Sequence, residues 1–163
     1  MDTKRKLWLI GLGLLVATAA FAIGNPRFLR APSARLGSPK VIASWVEVDL
    51  INKGDVDYSL SAATAVRYQC VNPDGSCPYS PKETELMSNM RVGGSFAVEK
   101  GGKICNDLVL PAPQSGLVCP GKQVPRVVTA VFTHIKLKDT TNGVWSYTQP
   151  SSLSYNGAEC PSY

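Results

Sequence analysis

The chain has 163 residues, of which 44% are hydrophobic and 18% charged, and its net charge is +5. That length is typical of one domain with a substantial core. The basic residues beyond the N-terminus stand singly and are not interleaved with aromatic residues, so the sequence gives no support to a nucleic-acid partner.

The N-terminus has the pattern of an export segment. Three basic residues at positions 4–6 precede an uncharged apolar run of 18 residues, from Leu7 to Gly24. Ala20-Phe21-Ala22 forms an A-x-A site with a small residue on each side of Phe21, which favours cleavage after Ala22 and makes residues 1–22 a signal peptide. The alternative is a retained membrane anchor, since 18 residues are the lower limit for a membrane-spanning helix. Either way, we expect a secreted or cell-surface protein.

Residues 23–40 contain three prolines and predict an extended arm or linker rather than a helix. Residues 41–149 then form the predicted domain. The Ser/Tyr-rich residues 150–163 are expected to be a loosely held tail.

The first strand of the domain is predicted from the alternation in ASWVEVDLIN, with Val46, Val48 and Leu50 facing the core and Glu47 and Asp49 facing solvent. A second alternating run follows a turn. Its expected inward residues are Tyr58, Leu60, Ala62, Val66, Tyr68 and Cys70.

The remaining segments are also mostly strand-like. Residues 82–92 fit either a short helix or an edge strand that ends at Gly93-Gly94, and strands are predicted at 95–100 and 103–110. Residues 126–138 are the most strand-like of all, because they are rich in β-branched side chains. Val131 and Ile135 are expected in the core. A turn at 139–143 leads to a returning strand. About six to eight short strands separated by turns predict an antiparallel β-sandwich.

Two short stretches carry a family resemblance. Residues 46–55, VEVDLINKGD, and residues 95–102, SFAVEKGG, are similar to strand-turn motifs of exported immunoglobulin-like domains in prokaryotic surface proteins. The resemblance implies an immunoglobulin-like sandwich with a role in adhesion, assembly or binding.

Five cysteines in an exported chain predict disulfides. The turn sequence Asn-Pro-Asp-Gly between Cys70 and Cys77 favours a bridge between these two. Cys105 and Cys119 bracket a Pro/Gly-rich loop and are the next natural pair, which leaves Cys160 unpaired. Spacing alone does not choose among the possible pairings. A metal site is the rival interpretation, but the chain has one histidine and no C-x-x-C motif.

Three groups of polar residues are candidate sites. His134 lies in the strongest strand, without a nucleophile motif such as G-x-S-x-G. Asn52, Asp55 and Asp57 offer oxygen ligands for Ca²⁺, but their spacing is not that of an EF-hand and turn propensity alone explains them. Glu83 and Glu85 form a spaced carboxylate pair with no visible perturbing environment. The sequence therefore predicts no catalytic residue and no cofactor.

The aromatic residues were considered as a sugar-binding platform, with core packing as the alternative. The residues in question are Trp45, Tyr58, Tyr68, Trp145 and Tyr147.

The expected function is that of an exported, non-enzymatic interaction or adhesion module that binds a protein partner or itself. The alternative is a filament or sheath subunit, assembled when the arm at 25–40 adds a strand to a neighbour's sheet. A small exported enzyme is a further alternative, without a triad or metal set to support it.

Overall fold

The computed structural model describes residues 24–51 and 54–161. These residues form strands, turns and loops, and no helix among them could cross a membrane. The expected export segment at residues 1–22 lies outside the described residues.

The described residues form nine strands in chain order. They are β1 Arg27–Phe28, β2 Ser33–Leu36, β3 Lys40–Val48, β4 Asp55–Val71, β5 Glu83–Ala97, β6 Ile104–Pro111, β7 Val124–Asp139, β8 Trp145–Tyr147 and β9 Leu153–Asn156.

The strands form two antiparallel sheets, as expected for a β-sandwich. In the four-stranded sheet, β3 is central and pairs with β1 and β2 along one edge and with β6 along the other. In the five-stranded sheet, β4 lies between β5 and β7, and β7 also pairs with β8 and β9. The predicted all-β antiparallel architecture is therefore confirmed.

Strand β4 follows the predicted alternation. Its expected inward residues, from Tyr58 to Cys70, are all buried between the sheets. Residues 82–92 left helix and strand open. All of them except Lys82 belong to the edge strand β5, which continues through Gly93 and Gly94 to Ala97. In the predicted strand β6, Leu108 and Leu110 are buried.

The inward face of β3 differs from the prediction. Val41, Ala43, Trp45 and Glu47 are buried, whereas Val46 and Val48 are only half-buried. Both faces of this strand carry apolar residues, so period-two alternation does not choose between them. Leu50, beyond the strand, is buried as expected.

A β-bulge explains the second difference in the core. Between the pairs Ser61–Lys136 and Ala63–Thr133, strand β7 contains one more residue than β4, and His134 has a φ of 54°. Such a bulge reverses which side chains face inward. Ile135 is therefore buried, while Val131, of the same parity, is 37% exposed.

The N-terminal arm and the C-terminal tail both belong to the sandwich. The arm supplies β1 and β2, which pair with β3 of the same chain. The tail was expected to be loosely held, but β9 pairs with β7, and Gln69 exchanges two hydrogen bonds with the backbone of Cys160, at 2.9 and 3.2 Å. Arg67 adds an ion pair to Glu159 at 2.5 Å.

The predicted disulfide pairing was wrong. Cys70 bonds Cys119 and Cys77 bonds Cys160, while Cys105 is free and exposed. The loop between β4 and β5 is longer than a tight hairpin, and the backbone N–H of Cys70 donates to the carbonyl of Lys82 rather than facing Cys77. Two disulfides point to an oxidising, extracytoplasmic compartment.

Candidate functional site

Three of the aromatic residues considered for sugar binding are core residues. Trp45, Tyr58 and Tyr68 are all buried. Trp45 and Tyr58 pack with Phe96 between the sheets, with ring centroids 4.7 to 5.8 Å apart. Because burial removes these rings from any ligand, only Trp145 and Tyr147 remain available at the surface.

A buried carboxyl group lies beside this aromatic cluster. Glu47 is fully buried, and its Oε2 accepts a hydrogen bond of 2.8 Å from the Tyr58 hydroxyl. Burial raises the pKa of Glu47 from 4.5 to about 7; the Tyr58 hydrogen bond opposes this change, and the nearby Asp139 reinforces it. Burial and the same carboxylate also raise the pKa of Tyr58. Period-two alternation predicts Glu47 in solvent, and no local pattern in the sequence indicates this cluster.

Asp139 organises the turn between β7 and β8. Its Oδ1 accepts the backbone N–H groups of Thr141 and Asn142, each at 2.8 Å, and its Oδ2 accepts the Asn142 side-chain amide at 2.6 Å. This is the arrangement by which an aspartate stabilises a turn, so these hydrogen bonds give Asp139 a structural role.

The other predicted polar sites do not come together. Asp55 and Asp57 are exposed at the start of β4, and Asn52 lies outside the described residues. Among residues 24–51 and 54–161, no group of three or more His, Cys, Asp or Glu side chains could hold a metal ion. Glu83 lies near Arg67 and Gln69 at 3.6 and 3.2 Å, at the end of the sheet where the tail is attached.

The outer face of the five-stranded sheet contains two adjoining hollows along β4 that share Ala63 and Asn89, and together we call them the outer trough. Its floor is made by the small side chains of Ser61, Ala63 and Ala65. Its walls are formed by larger side chains on the strands to either side, namely Met87, Asn89 and Arg91 on β5, Val131, Thr133, His134 and Lys136 on β7, and Tyr147 on β8.

The two ends of the outer trough differ in chemistry. At one end, Ala65 pairs in register with Met87 and Val131, which are 75% and 37% exposed. At the other end, Ser61 pairs with Arg91 and Lys136, so a basic side chain stands on each side of it. The trough therefore runs from an apolar end to a basic end.

Two exposed aromatic rings extend the basic end. In the register of β7 and β8, Tyr147 is opposite Lys136 and Trp145 is opposite Lys138. The rings of Trp145 and Tyr147 meet edge to face with centroids 5.7 Å apart, and Lys136 Nζ lies 5.7 Å from the centre of the Trp145 ring. His134, in the bulge, is 6.5 Å from the Tyr147 ring. The bulge thus places the chain's sole histidine beside the aromatic pair.

Comparison of the chain with protein-family models, with curated proteins and with solved structures finds no match in any of the three.

Proposed function

We propose that the protein is an exported, non-enzymatic interaction module that contacts its partner through the outer face of the five-stranded sheet. The outer trough carries this proposal. Small residues on a central strand, flanked by exposed aromatic, apolar and basic side chains, make a concave surface with the mixture of contacts that binding sites use. The large exposed side chains around it, among them Met87 and Trp145, contribute little to the core and are available to a partner.

The placement of the reactive groups supports binding rather than catalysis. Burial raises the pKa of Glu47 to about 7, which suits a general acid or base, but the side chain is enclosed between the sheets. A general acid or base must come within hydrogen-bonding reach of its substrate. His134 is exposed, and the contact described for its ring is with Tyr147, not with a carboxylate that could orient it.

The proposal also includes export of the protein, its secretion or attachment to the cell surface, and a relationship to immunoglobulin-like domains. The apolar run after three basic residues supports export, and the disulfides at Cys70–Cys119 and Cys77–Cys160 support an oxidising location. N-terminal sequencing of the exported protein is expected to begin near Ile23. Recovery of a soluble cytoplasmic protein that begins at Met1 would contradict export.

The proposed contact surface can be tested by blocking the outer trough. Ala63→Met places a long, uncharged side chain on its floor, while Arg35→Ala changes an exposed residue of the opposite sheet. We expect the secreted wild-type protein and R35A to bind a cell-wall or extracellular-matrix preparation of the producing organism, and A63M to lose binding with an unchanged melting temperature. Equal binding by folded A63M would contradict the assignment of this face.

The filament subunit is the second candidate, favoured by one observation. In the part of the chain that the structure describes, the 15-residue strand β5 pairs with β4 along one edge only, and an open strand edge can accept another strand. The expected donor, the N-terminal arm, is paired with β3 of its own chain and would have to leave it. Electron microscopy and size-exclusion chromatography with light scattering at high concentration decide between the two, because an interaction module stays monomeric and a filament subunit forms fibres.

A further inference from the structure

We propose that the outer trough binds a segment of an anionic polysaccharide, with Arg91 and Lys136 contacting its carboxylate or sulfate groups and Trp145 and Tyr147 packing against its sugar rings. This rests on the proposed function, and it adds the chemical class of the ligand to the surface already described.

The charge distribution on the outer face is the first argument. Arg91 and Lys136 flank Ser61, and Lys138 stands one row farther along the sheet. Within residues 24–51 and 54–161, no carboxylate forms an ion pair with any of these three basic residues. Basic side chains gathered on one surface contribute little to folding stability, and they attract a ligand of the opposite charge.

The acidic residues of the same face lie away from Arg91 and Lys136, and the nearest of them, Asp57, lies close to the row of Lys138. Glu83 and Glu159 are engaged by Arg67 near the far end of the sheet, at 3.6 and 2.5 Å. Asp57 is exposed near the start of β4, two residues from Ser59, which is opposite Lys138. Asp57 is not among the residues that line the outer trough, whereas Arg91 and Lys136 are.

The aromatic pair is the second argument. Trp145 and Tyr147 are 56% and 46% exposed, although neither is needed to fill the core. A sugar ring has an apolar face of C–H groups and a rim of hydroxyls, so it can pack on an exposed aromatic side chain while its hydroxyls bond polar neighbours. Asn89 and Thr133 supply such neighbours on the two walls.

The position of the trough in the sheet is the third argument. Because β4 is paired with β5 on one side and β7 on the other, its backbone groups are already used in the sheet. An extended peptide usually gains affinity from backbone hydrogen bonds at an open edge. A ligand lying on this face must instead be held by side chains, which suits a polyhydroxylated, charged polymer. The floor from Ser61 to Ala65 is roughly 13 Å long at the rise of a β-strand, enough for a short oligosaccharide.

The test measures binding of the full-length secreted protein to four polymers by isothermal titration calorimetry. Polygalacturonate carries carboxylates, dextran sulfate carries sulfates, dextran is neutral, and single-stranded DNA is a polyanion without the same sugar chemistry. We expect binding to at least one acidic polysaccharide, weakening as salt concentration rises. Weak or absent binding to dextran and DNA is expected, and the stronger of the two acidic polymers identifies the anionic group.

Two double variants with the same loss of charge provide the decisive comparison. Arg91→Ala with Lys136→Ala removes the basic wall of the outer trough, and Lys100→Ala with Lys122→Ala removes two exposed lysines outside it. We expect the first to weaken binding about tenfold or more and the second to change it by less than about twofold. Tyr147→Ala is expected to weaken binding without changing its salt dependence.

Three outcomes would overturn the proposal: no binding to either acidic polysaccharide, equal losses in the two double variants, or equally tight binding of DNA. The Ala63→Met experiment separates this failure from failure of the proposed function. If cell-wall binding is lost in A63M but does not respond to salt or to R91A/K136A, the face is a contact surface and its ligand is not anionic.

Discussion

The buried carboxyl of Glu47 predicts that the protein becomes less stable as the pH rises from about 4.5 to about 7. In the folded protein its pKa is about 7, whereas the ordinary value of 4.5 applies after unfolding. Between these values the folded protein holds a proton that the unfolded chain has released, so rising pH favours unfolding. Below 4.5 both states are protonated and the contribution of Glu47 to stability is at its greatest; above about 7 that contribution has been lost.

The magnitude follows from the difference between the two pKa values. Since one pKa unit corresponds to about 1.4 kcal/mol, the change from 4.5 to about 7 corresponds to about 3 kcal/mol of unfolding free energy. For a domain of this size, that corresponds to a change in melting temperature of roughly 6–12 °C. The effect is large because the side chain is fully enclosed and is not screened by solvent.

Glu47→Gln is the variant that isolates this effect. The amide oxygen of glutamine can still accept the Tyr58 hydrogen bond, but the side chain stays neutral at every pH. We expect E47Q to have about the stability of the wild type at pH 4.5 and to exceed it by about 3 kcal/mol at pH 8. Glu99→Gln, which changes an exposed carboxylate, is the matched control and is expected to follow the wild type.

The assay is chemical denaturation of the wild type, E47Q and E99Q at several pH values from 4.5 to 8. Other groups also titrate in this range, so the quantity to compare is the difference between each variant and the wild type. If the curves for E47Q and the wild type run parallel over the whole range, Glu47 does not hold its proton in the fold, and the reasoning from burial is refuted.

The remaining predictions concern the hydrogen bond, the disulfides and the core. Tyr58→Phe removes the hydrogen bond that opposes the effect of burial on Glu47, so the pKa of the Glu47 carboxyl, followed by NMR, is expected to rise further. An unchanged or lower pKa would contradict this. Cys160→Ser should destabilise the protein by about 2–4 kcal/mol because it removes a disulfide, whereas Cys105→Ser should leave stability unchanged. Non-reducing peptide mapping that joins Cys105 to another cysteine would refute the pairing. Phe132→Ala should lower the free energy of unfolding by about 3–5 kcal/mol and its neighbour Val131→Ala by much less, since Phe132 is buried and Val131 is not. Equal losses in chemical denaturation would show that the bulge is not where we place it.

Local patterns in the sequence determined a large part of the fold. The alternation along residues 56–70 predicted the inward face of the long central strand, and the polar run at 139–143 predicted the turn that precedes β8. Both were predictable because period two and turn chemistry depend on residues that are neighbours in the chain. The helix-or-strand ambiguity at residues 82–92 could not be resolved locally, since the β structure there depends on pairing with β4.

The features that were predicted wrongly or not predicted at all depend on residues far apart in the chain. Cys77 meets Cys160 across 83 positions, and Glu47 is accepted in the core because Tyr58, on the other sheet, donates to it. The outer trough likewise exists only once β4 is placed between β5 and β7, with small side chains on its floor and large ones beside it. The sequence by itself determined strands β3, β4, β6, β7 and β8 and the turn before β8, and its cysteines predicted an oxidising location. Only the tertiary structure decided the cysteine partners, the buried face of β3 and the candidate binding surface, because each depends on which distant strands become neighbours.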